Sequence, residues 1–359
     1  MTKSESGKEA TVADVALRAG VSKAQAARAL GAYGAVSDTV RDLVLAAAEE
    51  MGYRPNQLAR SMNTGKSQTL GVVVGDIENP YFGLAVRGIS DTARSHGYNV
   101  ILLNTSEQLA LEEEAVQVLL DKRVDGFIIA PCSTNSTKHL REIGDRGRPL
   151  VLFDRWVVDI DLDVVSVDFE QVSIESTRYL LAAGHTRIAY ISSLNTGGLA
   201  YSPEAALGGS PVTQRIGGIS AALRERGHEL DPSLIKLNAM DPEAVDVAVG
   251  ELLDLSDPPT AFVASDSLIA QGTLAALKNR GLKIPDDVSF MMYDDFPWTD
   301  LITPPLTVVR QPIYEMGATA ASRVLCLIDG TDPGPMPLLK AEVIYRDSIT
   351  APTAHIGGN

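Results

Sequence analysis

The stretch TVADVALRAGVSKAQAARALG, residues 11–31, holds two short helical patterns separated by a single break. The first opens at Thr11 with Asp14 three residues on, the spacing of a capping box, and lines up Val12, Val15, Ala16 and Ala19 on one stripe. Gly20-Val21 interrupts it. The second opens at Ser22 with Gln25 at the same spacing and runs to about Gly31. A third opens at Ser37 and carries Val40, Leu43, Val44, Ala47 and Met51 at helical spacing. Two short helices joined by a tight glycine-containing turn and braced by a third describe a helix-turn-helix. An ordinary small helical bundle would carry the same local signals.

From Ser67 onward the texture changes to alternating strands and helices. Apolar runs at Leu70–Val74, Val100–Asn104, Gly126–Ala130, Leu150–Phe153, Val164–Val167, Ile188–Ser192, Ala261–Ser265, Val288–Tyr293 and Leu306–Val309 read as strands. Helical patterns such as Tyr81–His96, Ala110–Lys122, Val172–Ala183 and Leu268–Arg280 lie between them. This is βαβ texture, which predicts parallel sheets covered by helices on both faces. It extends too far for one compact domain, so two similar lobes are expected. In such sheets ligands settle beyond the C-terminal strand ends, and facing lobes would share one cleft there.

The charge is divided between the same two regions. Residues 1–66 carry nine Lys/Arg and seven Asp/Glu, a net of +2, which leaves −17 on the rest of a chain whose total is −15. Only the N-terminal piece therefore suits a polyanion, and the acidic body would stay off it. Cys132 and Cys326 share no metal-ligand spacing and read as buried, reduced thiols. No apolar run approaches the roughly 20 residues of a membrane helix, and MTKSESGKEA lacks the apolar core of a signal peptide. The expected compartment is the cytoplasm.

Several segments together resemble the lactose-repressor family of bacterial regulators. They are TVADVALRAGVS, Ala27-Arg28-Ala29-Leu30, VSDTVRDLVLAAAEEMGYRPNQLARSM and TLGVVVGDIENPYF, then DGFIIAP, LLAAGHTRIAYIS, FVASDSLIAQGTLAALKNRGLKIPDDVSF, YDDFPWTDLITPPLTVVRQP and VIYRDSIT. The match runs from Thr11 to about Ile349, and its specificity comes from many motifs in the correct order. It implies a helix-turn-helix headpiece at 1–54, a hinge helix and linker at 55–67, and an α/β core at 68–359 like periplasmic sugar-binding proteins. The resemblance puts lobe one at about 68–166 and 310–334, and lobe two at about 167–309 and 335–359. It further implies a homodimer on near-palindromic double-stranded operator DNA. The tail TAPTAHIGGN has no heptads, which favours a plain dimer.

By this resemblance the second helix enters the major groove, with Lys23, Ala24 and Arg28 at base edges. Arg28 suits a bidentate pair with guanine, and Ala24 a thymine methyl. Thr11, Ser22 and Gln25 join the DNA-binding set, together with Asn56 and Met62 of the hinge. Met62 stands where the family usually carries a leucine that wedges into the minor groove. The sequence departs from the family at Gln25-Ala26-Ala27, where Thr-Val-Ser is usual, and at Gly31, where Asn is usual. Lys23 as a plain surface lysine, Arg28 in a surface ion pair and Met62 packing two hinge helices together are the plainer alternatives.

In the core, resemblance puts Tyr81, Phe82, Arg155, Arg215, Ser265 and Asp294 around the inter-lobe cleft. Carboxylates and an arginine suit paired sugar hydroxyls, and an aromatic face suits a sugar ring. The expected effector is a small polyhydroxylated molecule: a sugar, polyol or sugar acid. Tyr81 and Phe82 as plain core, Arg155 as a salt-bridge partner, and Asp266 and Asp295 as caps are the structural alternatives. Trp298 reads as packing and His185 as a turn residue. The segment NTGGLAYSPEAALGGSP, 195–211, is longer than the family norm. No cofactor or metal set stands out. Asp294 and Asp295 are adjacent and point to opposite sides, so they do not form a catalytic carboxylate pair. A solute-binding protein without a DNA role fits the core alone, and control by a protein corepressor fits the whole chain.

Overall fold

A computed structural model of the chain describes residues 10–31, 34–53, 65–157, 160–204, 207–332, 334–337 and 339–353. These fall into two compact units, one spanning Met1–Thr69 with Arg123–Asp125 and the other Leu70–Lys122 with Gly126–Asn359. Asn56 and Met62 lie outside the described residues.

In the first unit α1 (Val12–Ala19), α2 (Lys23–Gly31) and α3 (Asp38–Glu50) pack on one another. Both halves of the Thr11–Asp14 capping box are formed, and Gly20, at φ 68°, ends α1 in the left-handed conformation that glycine adopts without a Cβ penalty. Val15, Ala16, Ala26, Ala29, Val44, Ala47 and Ala48 are buried. Leu43 is 50% exposed and so leaves the stripe expected of it. The alanine-rich interior draws the helices close, and Val44, Ala47 and Ala48 already complete the inner face of α3.

The second unit is built on two sheets. The first has the order β2-β1-β3-β4-β5, from β1 (Thr69–Val74), β2 (Asn99–Asn104), β3 (Gly126–Ile129), β4 (Leu150–Phe153) and β5 (Val164–Val165). The second has the order β11-β10-β9-β8-β6-β7, from β6 (Ile188–Ile191), β7 (Ile235–Lys236), β8 (Ala261–Ala264), β9 (Ser289–Tyr293), β10 (Thr307–Arg310) and β11 (Glu342–Ile344). β1, β3, β4 and β5 pair in parallel, as do β7, β6, β8, β9 and β10, while β11 runs antiparallel to β10. Each expected strand is present with ends shifted by up to two residues. β7 and β11 were not expected, being two and three residues long and too short to show a period.

Helices α4 (Pro80–Ser95), α5 (Leu109–Asp121) and α6 (Lys138–Asp145) belong with the first sheet. With the second lie α7 (Phe169–Ala183), α8 (Pro211–Glu225), α9 (Pro242–Leu253), α10 (Ser267–Asn279) and α11 (Pro297–Leu301). The last long helix, α12 (Ile313–Ile328), returns to the first sheet and packs on α4, β3 and β4. Its contact with α4 runs through two glycines. A Cβ on Gly88 would fall 2.1 Å from the Tyr314 carbonyl oxygen, and one on Gly317 2.0 Å from that of Ala85. The chain therefore passes from the first sheet to the second after β5, back after β10, and across again before β11.

Candidate functional site

Within the headpiece unit, α2 buries Ala26 and Ala29 and turns the opposite face to solvent. Lys23, Ala24 and Arg28 are all exposed on that face. Among the described residues neither Lys23 nor Arg28 forms an ion pair, so their charge is available to a polyanion. Ser22 and Gln25 close a reciprocal cap. The Gln25 amide nitrogen donates to Ser22 Oγ at 3.2 Å, and the Ser22 amide donates to Gln25 Oε1 at 3.0 Å. Thr11 is tied likewise to Asp14. These three residues set the helix ends, while Lys23, Ala24 and Arg28 face outward.

In the core, two strand ends present the same device. Immediately after β4, Asp154 takes φ 69° and its amide donates to the Val165 carbonyl at 2.8 Å. Immediately after β9, Asp294 takes φ 76° and its amide donates to the Val309 carbonyl at 2.9 Å. Aspartate tolerates this left-handed turn better than most residues. The turn stops the strand and leaves a buried carboxyl at its tip. Tyr81, in the first turn of α4 behind the Asn79 cap, donates its hydroxyl to Asp154 at 2.9 Å. Gln311, just past β10, donates to Asp294 at 2.5 Å.

Arg215, in the second turn of α8, interacts electrostatically with both carboxyls. Ser210 caps this helix and Pro211 begins it. The guanidinium lies over the rings of Phe169 and Tyr293, 4.4 and 4.1 Å from their centroids, and donates to the Ser265 carbonyl at 2.8 Å. Both rings present their faces to the cation, an arrangement that favours its charge in a buried place. Buried Nε of Arg215 and Oε1 of Gln311 have no hydrogen-bond partner. Buried polar groups are ordinarily paired, so both atoms are left to pair with a further polar group.

The electrostatics follow from burial. Desolvation pushes the Asp294 carboxyl up to about 7, with Asp266 and Asp154 adding to it and Arg215 and Gln311 opposing it. Desolvation also raises Asp154 above the usual carboxylate range, against Arg155, Arg215 and Tyr81. Burial opposes the Arg215 charge, but Tyr190, Tyr293, Asp154 and Asp294 outweigh it and hold its pKa above the ordinary value.

Of the residues expected in the cleft, Tyr81, Arg215, Ser265 and Asp294 come together. Phe82 meets Tyr81 edge-on, with ring centroids 5.3 Å apart, and is buried. Arg155 is drawn aside. It forms a two-pronged pair with Glu107 at 2.6 and 3.0 Å and donates to the Pro131 carbonyl. Ser265 contributes its carbonyl to Arg215 and its hydroxyl to Asp266. Asp266 caps α10 as expected, whereas Asp295 is not a cap. It joins Arg310, Arg346 and Thr299 in an ion-pair cluster on the far side from Asp294. Trp298 packs, donating to Ser267, and His185 bridges Thr260 and Thr350. Both cysteines are free and half-buried rather than buried. Sequence reading left out Asp154, Gln311, Phe169 and Tyr293. Asp154 had a visible signal, an acid directly after an apolar run, but the other three depend on which strand ends meet.

Comparison with known proteins places this geometry. Residues 11–56 match the family described as bacterial regulatory proteins, lacI family, and residues 67–342 match periplasmic binding proteins and sugar binding domain of LacI family. The HTH-type transcriptional repressor CytR of Escherichia coli K12 is 33% identical over 344 residues, 95% of this chain and 97% of the relative. Catabolite control protein A of Priestia megaterium is 31% identical, covering 86% and 90% of the two chains. Among solved structures, the transcriptional regulator CelR–cellobiose complex is 25% identical with a TM-score of 0.68, over 95% of this chain and all of that one. The lac repressor dimer bound to operator superposes with a TM-score of 0.79 at 24% identity, over 96% of this chain and all of the other. With a lacI-type helix-turn-helix followed by a two-sheet periplasmic-binding-protein-like core, the chain is a member of the LacI family of bacterial DNA-binding transcription regulators.

Proposed function

We propose that this regulator is a repressor whose operator affinity is set by a small polyhydroxylated effector held between the two sheets of the core. The observation that carries this reading is the constellation of Arg215, Asp294 and Asp154. A buried guanidinium and two buried carboxyls, with Arg215 Nε and Gln311 Oε1 unpartnered, match the alternating donors and acceptors of a diol. Relatives in this fold hold sugars: cellobiose in the CelR complex, and ribose in a LacI family regulator from Enterococcus faecium that is 27% identical to this chain. Tyr81 lies at the same site and offers a ring beside the carboxyls. Arg155, pinned by Glu107, acts on the ligand through its neighbour Asp154 rather than by reaching it.

On the DNA side, Lys23, Ala24 and Arg28 read base edges, Thr11, Ser22 and Gln25 fix the helix ends against the backbone, and Asn56 and Met62 complete the contact at the hinge. The regulator acts as a homodimer through the core. Support for this comes from β2, an edge strand with no buried residue, and from Leu84, Leu102, Leu111 and Val118 on or beside it, all 37–39% exposed. An apolar sheet edge of this kind is ordinarily covered.

A thermal-shift screen against sugars, polyols, sugar acids, purines and nucleosides tests the effector class, because a ligand that binds only the folded state raises stability. Calorimetry with the ligand it identifies then compares Arg215→Ala and Asp294→Ala with the parent. Each removal leaves buried partners unpaired and should weaken binding by about 1–3 kcal/mol or more. Unchanged affinity in both variants moves the effector to another site.

A further inference from the structure

Residues 192–204 and 207–210, the described parts of the segment between β6 and α8, form a strap tied to both sheets. Its near end is tied to the second sheet, where Asn238 accepts from the Thr196 amide at 2.7 Å and donates to Thr196 Oγ1 at 2.8 Å and to the Leu199 carbonyl at 3.2 Å. Its far end meets the first sheet. The Trp156 amide, two residues past the Asp154 turn, donates to the Gly209 carbonyl at 3.1 Å. Gly209 and Ser210, the cap of α8, are buried there.

The contact leaves no room for a side chain. A Cβ on Gly209 would fall 2.2 Å from the Trp156 carbonyl oxygen and 2.7 Å from the indole ring. On Gly208, at φ 70°, it would fall 2.0 Å from Thr134 Oγ1, in the loop after β3. Gly208 is also held from behind, its carbonyl accepting from Thr213 Oγ1 at 3.1 Å. Two consecutive glycines thus let the strap lie directly on Trp156 and Thr134, at the C-terminal ends of β4 and β3. Six residues after Gly209 comes Arg215, and two before Trp156 comes Asp154. One short backbone link therefore joins the turn that carries the first carboxyl to the helix that carries the arginine.

We propose that Trp156 with Gly208-Gly209 is a latch that sets the spacing of the two halves of the effector site. Trp156 is a positioning residue, acting through α8 on Arg215. The inference rests on the effector being bound between the two sheets.

Three measurements on the full chain decide it. In the unmodified protein the Trp156 amide should exchange with deuterium at least tenfold more slowly than in an unstructured chain, and free exchange overturns the latch. The chain has two tryptophans, so Trp298→Phe leaves Trp156 as the sole reporter. In that background Gly209→Ala should at least double the quenching of Trp156 by acrylamide, with the far-ultraviolet circular dichroism unchanged. Gly217→Ala on α8, where a Cβ meets nothing within 4 Å, should leave quenching as it was. Equal quenching in Gly209→Ala and its background overturns the proposal. If Gly209→Ala does not fold, Trp156→Ala replaces it, read by exchange of the 194–210 peptide. At least fivefold faster exchange supports the latch, and unchanged exchange refutes it. Finally, D-ribose and cellobiose are titrated into the parent and Trp156→Ala. A sugar that binds the parent should bind the variant at least tenfold more weakly, and equal affinity refutes the positioning role. If neither sugar binds the parent, that result counts against a sugar effector, and amide exchange and quenching decide the latch by themselves.

Discussion

Asp294→Asn isolates the electrostatic cost of the effector site when no ligand is bound. Asp294 is 1% exposed, and its carboxyl is held at about 7 against an ordinary 3.8. That gap is worth roughly 4 kcal/mol at about 1.4 kcal/mol per pH unit. Between the two values the folded protein keeps a proton that the unfolded chain has released. The stabilisation is therefore fully present below pH 3.8 and is lost as the pH rises through about 7. Asparagine keeps the shape and has no proton to lose. Relative to the parent, the unfolding free energy of Asp294→Asn should grow by about 3 kcal/mol from roughly pH 5 to 8 and then level off. Urea unfolding at half-unit pH steps, followed by circular dichroism, measures that drift. If the two stability curves run parallel over this range, Asp294 is not a buried, protonated acid, and the account of the site is wrong.

Other outcomes follow from the fold and the proposed function. Arg28→Ala should cost about 1–3 kcal/mol on the operator and relax discrimination at one base pair, which competition binding against single-base operator variants checks. Lys23→Ala should also weaken binding, and the salt dependence of the parent's affinity should be steep. Leu102→Lys, at the edge of the first sheet, should shift the protein from dimer to monomer at micromolar concentration in light scattering, and an unchanged dimer would move the interface elsewhere. Met62→Ala should lower operator affinity and reduce DNA bending measured by energy transfer between labelled ends, with effector affinity intact.

Much of this protein is local and therefore legible in the sequence. The capping pairs Thr11–Asp14 and Ser22–Gln25 lie three residues apart, and the strands other than β7 and β11 are short apolar runs between turn residues, so reading along the chain finds them. Asp266 as a cap, and the opposite facing of Asp294 and Asp295, follow from the same local rules. Tertiary structure decided the rest. Arg215 lies against both Phe169 and Tyr293 because α7, α8 and β9 converge, from positions 46 and 78 residues away along the chain. Glu107 takes Arg155 although β1 and β3 stand between β2 and β4, because the loop after β2 folds onto the end of β1, where the Glu107 amide donates to the Gly75 carbonyl, and Arg155 reaches across the end of β3 to meet it. Gly208-Gly209 reads only as a turn until Trp156 and Thr134 are seen against it. Hydrophobic period and capping act over a few residues and survive in the one-dimensional string. Desolvation, charge pairing and close backbone approach depend on which distant segments share a place, and only the folded chain assigns it.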